Sequence, residues 1–225
     1  MEKRKGFIFD LDGVIVDTAK YHFKAWQNLA NGLGISFTEA QNEDLKGVSR
    51  IRSLKKILAW GNIKISENEF SKLLVEKNEE YLSYIDTMNT SEILPDVEKI
   101  LKYLKYTKQG IALGSASKNA RIILEKVGLI RQFEVIVDGT DVTKAKPDPE
   151  VFLIGAKKMS VAPENCIVFE DSVAGIQAAN SGSMISIGIG DPDVLNEADY
   201  VFKDFTEIDN SFLDTLINTN HKVNN

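Results

Sequence analysis

The sequence is short of three features: cysteine, an excess of basic residues, and long hydrophobic runs. Cys166 is the only cysteine, so an internal disulfide is excluded, and a packing role in a reducing compartment is favoured. The 33 acidic and 27 basic residues give a net charge of -6, which argues against a general nucleic-acid scaffold. No run approaches a membrane span, and the N-terminus lacks the apolar stretch of a signal peptide. We expect a cytoplasmic monomer that binds neither nucleic acid nor membrane.

Short apolar runs alternate with helical patterns over most of the chain. The runs are GFIFD near the N-terminus, followed from about Leu94 onward by GIALGS, FEVIVDG, CIVFED and MISIGIG. Because these runs are apolar at nearly every position, they are typical of parallel strands that helices bury on both faces. The sequence therefore predicts an α/β fold, with a Rossmann-like parallel sheet in a core domain formed by residues 1–15 and 91–225.

Residues 16–90 have a different pattern. Their apolar residues recur at helical spacing, as Ile51, Leu54 and Leu58 illustrate, and no convincing strand interrupts them. The sequence therefore predicts an all-helical cap domain, inserted after the first strand. An insert at that point lies over the carboxyl edge of the sheet, where open α/β folds bind ligands, so it can act as a lid.

Polar groups follow the predicted strands at their carboxyl ends. These groups are Asp10, Asp12, Ser115, Lys146, Glu170 and Asp171. In a parallel sheet they share one crevice, and several carboxylates with a lysine are suited to holding Mg²⁺ against a phosphate. Ser115 and the amide of Ala116 can donate to phosphate oxygens at the start of a helix that we expect near Ser117. The sequence thus predicts a metal-assisted phosphoryl-transfer site.

The motifs that carry these groups resemble a known family. DLDGVIVDT, SASK, KPDPE and FEDSVAGIQAA resemble, in this order, the four signature segments of the haloacid dehalogenase superfamily. The resemblance implies that Asp10 is the nucleophile that forms an aspartyl phosphate and that Asp12 is the general acid and base. It also implies a Mg²⁺ site formed by Asp10, the backbone carbonyl of Asp12, and Asp171, with Glu170 nearby.

The helical insert, with YHFKAW and LKGVSR, is similar to that of sugar-phosphate mutases in the superfamily. This resemblance implies conversion of β-glucose 1-phosphate to glucose 6-phosphate through β-glucose 1,6-bisphosphate. The residues it implies for binding the sugar and its phosphates are Lys46, Gly47, Val48, Arg50, Ser115, Ala116, Ser117, Lys118, Asn119 and Lys146. It further implies that His22 and Trp26 face the site and that Thr18 lies at the hinge.

Simpler interpretations stay open for several of these residues. His22 and Trp26 also fit ordinary packing on a helix, and Glu170 with Asp171 fits a helix cap. Arg52 departs from the mutase pattern, in which an acidic or neutral residue is more usual, so the preferred hexose phosphate is open. The alternative functions are a Mg²⁺-dependent sugar-phosphate phosphatase and a non-catalytic phosphate-binding module. LKGVSR and His22 favour the mutase, and a simple binder has no need of Asp12.

Overall fold

A computed structural model describes residues 4–218, which form one parallel sheet with helices on both faces and further helices over one edge. The strands are β1 (Gly6–Phe9), β2 (Gly110–Gly114), β3 (Val135–Val137), β4 (Cys166–Glu170), β5 (Ile185–Ile189) and β6 (Tyr200–Phe202). The helices are α1 (Ala19–Gly32), α2 (Glu39–Glu43), α3 (Arg50–Trp60), α4 (Glu67–Ile85), α5 (Val97–Tyr106), α6 (Ala120–Lys126), α7 (Glu150–Lys158), α8 (Val173–Ser181) and α9 (Asn210–Asn218). His221, which we expected to be unstructured, lies outside the described residues.

The sheet has the strand order β3-β2-β1-β4-β5-β6, and all neighbouring strands are parallel. The first strand lies in the centre, where Phe9 stands opposite Leu113 of β2 and Phe169 of β4. The strand order reverses beside β1, and such a reversal opens a crevice at the carboxyl ends of the strands. The prediction of a Rossmann-like parallel sheet is confirmed.

Both faces of the sheet are buried, as the uniformly apolar runs indicated. Phe7 and Phe9 point into one apolar cluster and Ile8 into the other, because successive side chains of a strand alternate between faces. The rings of Phe9 and Phe169 stack with centroids 4.7 Å apart, which fixes β1 against β4 near the crevice. Cys166 is fully buried in the second cluster, so its thiol is part of the core packing.

Two short elements, β6 and α2, are among those that were not predicted. β6 is an edge strand that is partly exposed, so it lacks the continuous apolar run by which the other strands were recognised. α2 starts with a capping box, in which Thr38 and Gln41 satisfy each other's backbone amides, but it buries no residue. Elements that bury little surface leave little hydrophobic pattern in the sequence.

Helices α1 to α4 follow β1 and have an apolar cluster of their own, in which Trp26, Phe37 and Leu54 are buried. Trp26 therefore packs inside this helical group, as its simpler interpretation held. A separate cluster of this kind is what a cap domain needs, although the boundaries at residues 15 and 90 stay a prediction. Within residues 4–218, no helix combines the length and the apolar character needed to cross a membrane.

Candidate active site

A cavity of about 410 Å³ lies between the carboxyl edge of the sheet and helices α1, α3 and α4. It brings together most of the residues predicted for the site. Those that line it are Asp10, Asp12, His22, Trp26, Lys46, Gly47, Val48, Arg50, Ser115, Ala116, Ser117, Lys118, Asn119 and Asp171. Thr18, Lys146 and Glu170 do not line it, and all three are buried.

Asp10 follows the last residue of β1 and is held by a buried lysine. Its backbone amide donates to the carbonyl of Phe169 at 2.9 Å, so its backbone continues the sheet pairing. Nζ of Lys146 donates to Oδ1 of Asp10 at 2.6 Å and to Oε1 of Glu170. Burial alone would lower the pKa of Lys146, but these two carboxylates raise it above its usual value. The lysine is therefore a fixed positive charge.

Lys146 is positioned by a loop, whereas Asp10, Glu170 and Asp171 are positioned by the ends of strands. It does not directly follow a strand but lies in the long segment between β3 and α7, so its expected position just past a strand end is wrong. Glu170 is the last residue of β4, and its Oε2 accepts from the amide of Ser172 at 2.9 Å and from the Ser172 hydroxyl at 2.8 Å. Both oxygens of this carboxylate therefore accept hydrogen bonds from the protein.

Three carboxylates converge at the carboxyl edge of the sheet, and two of them, Asp10 and Asp171, line the cavity. Asp10, Glu170 and Asp171 each present an oxygen, and these oxygens lie within 4.8 Å of one another. Burial first, and the neighbouring carboxylate of Glu170 in addition, raise the pKa of Asp171 well above its usual value; burial likewise raises the pKa of Asp10 to about 7. This excess of buried negative charge and the all-oxygen donor set fit a hard divalent cation.

Gly13 allows the chain to leave the strand beside this cluster. Its φ is +80°, a conformation that residues with a side chain rarely adopt. A Cβ at this position would also collide with the carboxylate of Asp171. The glycine in the DLDG motif therefore serves both the turn after Asp12 and the close approach of Asp171.

Asp12 faces the helical group. Its carboxylate accepts a hydrogen bond from the buried hydroxyl of Thr18, and Oδ1 lies 3.8 Å from Nε2 of His22. Thr18 precedes α1, yet its side chain does not cap that helix, because the hydroxyl is used by Asp12. Burial raises the pKa of Asp12, which favours the protonated form that a general acid needs.

Lys77 of α4 is a functional candidate that the sequence interpretation missed. Its Nζ lies 2.9 Å from Nδ1 of His22 and over the rings of Trp26 and Tyr81, at 4.6 and 4.7 Å from their centroids. Burial, together with the charge of Arg50, lowers the pKa of Lys77 to about 7. A signal was present: Lys77 stands between Leu74 and Tyr81 at helical spacing, as a charged residue on an apolar face.

His22 shares this environment. Burial lowers its pKa well below the usual value, and the positive charges of Lys77 and Arg50 lower it further, which favours the neutral ring. With Lys77 as the donor to Nδ1, the ring proton lies on Nε2, the atom that faces Asp12. The ring also stacks on Tyr81 with centroids 4.1 Å apart. His22 therefore both packs and faces the acid.

The segment from Ser115 to Asn119 forms the wall on the core side. The hydroxyl of Ser115 accepts from the amide of Ser117 at 3.1 Å, and that of Ser117 accepts from the amide of Asn119 at 3.2 Å. The expectation of a helix starting near Ser117 is wrong, because α6 begins at Ala120. Serine hydroxyls that bind amides two residues ahead form turns, which compete with the first helical turn.

The LKGVSR loop contacts the core from the opposite side. Nζ of Lys46 lies 3.6 Å from Oδ2 of Asp171, and a Cβ on Gly47, whose φ is +68°, would lie 2.5 Å from the Ser172 hydroxyl. Arg50 is the first residue of α3, and burial lowers its pKa. Among residues 4–218, no carboxylate lies within ion-pairing distance of Arg50. This guanidinium is thus a partly buried cation without an acidic partner.

The fold, the strand-end carboxylates and the buried lysine define a phosphoryl-transfer protein of a known family. Residues 4–182 match the haloacid dehalogenase-like hydrolases, and the chain belongs to this family. It is 40% identical to a β-phosphoglucomutase of Bacillus subtilis over 91% of both chains. The crystal structure of β-phosphoglucomutase from Clostridium difficile superposes with a TM-score of 0.92 at 42% identity, covering 96% of this chain and 97% of that one.

Phosphatases of the same family are more distant relatives. A phosphorylated carbohydrates phosphatase of Thermotoga maritima is 31% identical, over 79% of this chain and 81% of its own length. The two kinds of relative share the fold, so the fold alone does not separate a mutase from a phosphatase.

Proposed function

We propose that this protein is a β-phosphoglucomutase, an isomerase that interconverts β-glucose 1-phosphate and glucose 6-phosphate through β-glucose 1,6-bisphosphate. The 40% identity to the Bacillus subtilis enzyme over nearly the whole chain supports this function. We further propose that it works in the cytoplasm as a monomer, with sugar phosphates as its partners.

Asp10 and Asp12 divide the chemistry between them. Asp10 attacks one phosphorus of the bisphosphate, so an Asp10 oxygen–phosphorus bond forms as the sugar oxygen–phosphorus bond breaks. Asp12 donates its proton to the departing sugar oxygen. When the C1 phosphate has been transferred, glucose 6-phosphate leaves and β-glucose 1-phosphate binds. Asp12 then takes the proton from its free C6 hydroxyl, which attacks the phosphorus, releases Asp10 and forms the bisphosphate again. The bisphosphate reorients before the next transfer. Lys146 keeps Asp10 in place through the 2.6 Å hydrogen bond to Oδ1.

We assign the cation site to Mg²⁺. Asp10, Asp171 and the carbonyl of Asp12 are the proposed ligands. Glu170 lies beside them, and its two oxygens accept hydrogen bonds from Lys146 and Ser172. A bound Mg²⁺ neutralises charge on the transferring phosphoryl group. The crowding of carboxylates around one lysine is the feature of this chain that supports the assignment.

The observation that best supports a mutase is that the guanidinium of Arg50 has no acidic partner among residues 4–218. A bisphosphate has one phosphate at Asp10 and a second at a distance, and the second needs a cationic site of its own. Arg50 lines the cavity from the cap side, and Ser117, Lys118 and Asn119 line it from the core side. A buried cation without an acidic partner is stabilised by an anionic ligand. A phosphatase that acts on monophosphates has less need of this group.

The deciding experiment follows two products at once. Purified protein with Mg²⁺, β-glucose 1-phosphate and a catalytic amount of the 1,6-bisphosphate should form glucose 6-phosphate in large excess over free phosphate. A coupled dehydrogenase assay measures the first product, and a phosphate-binding dye measures the second. Release of phosphate faster than formation of glucose 6-phosphate would instead assign the chain to the phosphatases, the second candidate function, which the Thermotoga maritima relative favours.

A further inference from the structure

Arg52 departs from the mutase pattern, and the structure gives it a partner. It lies in the first turn of α3 on the helical cap, two residues after Arg50. Its Nη1 donates to the backbone carbonyl of Lys146 at 3.4 Å, which joins the cap to the core. This hydrogen bond is long, but it is directed at the residue whose side chain holds Asp10.

The start of α3 is not arranged for helix stability. Positive side chains are unfavourable near a helix N-terminus, where the helix dipole is itself positive. The first turn nevertheless has Arg50 and Arg52 and no acidic residue, and Ser49 at the N-cap makes no side-chain hydrogen bond to the helix. Stability alone does not account for two arginines here. Arg50 lines the cavity, and Arg52 contacts the core outside it.

The loop before α3 is already in contact with the core on the other side of the crevice. Lys46 approaches Asp171 there, and Gly47 packs against Ser172. Arg52 adds a contact on the side of the segment that carries Lys146. The cap loop and the start of α3 therefore contact the core on both sides of the crevice, at Asp171 and Ser172 on one side and at Lys146 on the other.

We propose that Arg52 is a latch that favours the closed position of the cap, and that it acts through the backbone of Lys146. This inference rests on the proposed function, because closure matters most when a phosphoaspartate must be kept from water until a sugar hydroxyl attacks it. Arg52 is a positioning residue and does not touch the substrate. When the latch is removed, the cap opens more often, and water competes better for the phosphorus.

The first test measures the fate of the phosphoenzyme. Protein phosphorylated with acetyl phosphate is mixed with β-glucose 1-phosphate, and free phosphate is compared with sugar products. Arg52→Ala should raise the share lost to water by about fivefold, the effect of one ordinary hydrogen bond, and Arg52→Lys should restore part of the difference. Lys55→Ala removes an exposed positive charge from the same helix and should match the wild type.

The second test measures cap position without any sugar. Spin labels on Ala59→Cys in the cap and Lys157→Cys in the core report their separation in the presence of Mg²⁺ and inorganic phosphate, and native Cys166 is buried. Arg52→Ala should shift the distances toward longer values, and Lys55→Ala should not. An unchanged distribution in Arg52→Ala overturns the latch. Because this readout requires no mutase activity, it decides the latch even if the chain proves to be a phosphatase.

Discussion

The two walls of the cavity carry opposite charge. The core wall has Asp10 and Asp171 at its surface. Glu170 and Lys146 are buried next to them, and Nζ of Lys146 donates to Asp10 and to Glu170. The cap wall has Arg50 and Lys77, together with a histidine whose neutral form is favoured. Burial raises the pKa of the acids on one wall and lowers the pKa of the cations on the other.

This difference shows how the work is divided. The core wall is suited to holding a cation and a phosphoryl group in one place, because Asp10 and Asp171 directly follow paired strands. The cap wall is built to attract an anion, and its helices lie in a separate apolar cluster. We expect a ligand with two phosphates, together with a metal ion, to satisfy both walls at once, so that its binding favours closure of the cap.

The largest expected effect comes from the core wall. Asp10→Asn should abolish phosphoenzyme formation, because an amide is a poor nucleophile and removes one charge from the cation site. Intact-mass spectrometry after acid quenching should find no phosphate on the variant. Asp44→Asn, an exposed acid in the cap, is the matched control and should label normally. Retained labelling at position 10 would refute the assignment.

Removal of the metal tests the same wall reversibly. Chelation should stop sugar-phosphate turnover completely, since no cation then lies between the transferring phosphoryl group and the carboxylates of Asp10 and Asp171. Added Mg²⁺ should restore the rate, and Asp171→Ala should require more Mg²⁺ for the same rate or lose turnover. Titration of the rate against Mg²⁺ measures this, and full activity in the presence of a chelator would contradict the proposed site.

Asp12 lies between the two walls, and its substitution should have an effect of intermediate size on turnover. Asp12→Ala should reduce sugar-phosphate turnover by about 10²- to 10⁴-fold, the usual contribution of a general acid and base. Phosphorylation by acetyl phosphate should continue, because that leaving group needs no proton. Single-turnover measurements with the two donors separate these steps. Near-normal turnover of the sugar phosphate would rule out the role.

On the cap wall, Arg50→Ala should reduce mutase turnover by about 10- to 100-fold, as expected for the loss of charge-assisted hydrogen bonds to the distal phosphate. Hydrolysis of acetyl phosphate should change little, since this donor has no distal phosphate. Arg50→Lys should recover part of the loss, because lysine keeps the charge without the paired donors. Equal losses in both reactions would show that Arg50 acts on the fold and not on the distal phosphate.

The smallest effect concerns stability. The pKa of Lys77 falls from 10.5 to about 7 on folding, so the unfolded chain binds more protons between these pH values. The contribution of Lys77 to the free energy of unfolding therefore rises from pH 7 to about 10.5. Lys77→Met should remove this rise and add about 1–3 kcal/mol of stability at pH 6, because no buried cation remains. Urea denaturation across this pH range measures the free energy of unfolding. The same pH dependence in the wild type and in Lys77→Met would disprove the lowered pKa of Lys77.

The sequence predicted the core better than the cap, for a physical reason. Strand-end positions such as Asp10 and Asp171 were predictable because parallel strands place their carboxyl ends at one edge. Lys146 was recognised by its motif, but its route through a long loop was not foreseen. The position of Lys77 on the apolar face of α4 indicated burial, but its partner His22 lies on α1, a tertiary contact that a pattern along one helix does not reveal.

The turns around Ser115 and Ser117 show a second limit. Their hydroxyls can cap a helix or close a turn, and the sequence is the same in either case. The structure uses them in turns, so α6 begins later than expected. The roles of the predicted site residues stay predictions, and the domain boundaries do as well.

The central position of β1 has a consequence for how the protein is made. This strand is synthesised first, yet its partners come much later in the chain: Gly6 pairs with Gly110 on one side and with Cys166 on the other. On the ribosome, the cap helices can form local contacts early, while β1 waits for β2 and then β4. Asp10, which follows β1, is therefore held against its neighbouring strands only after most of the chain has been translated.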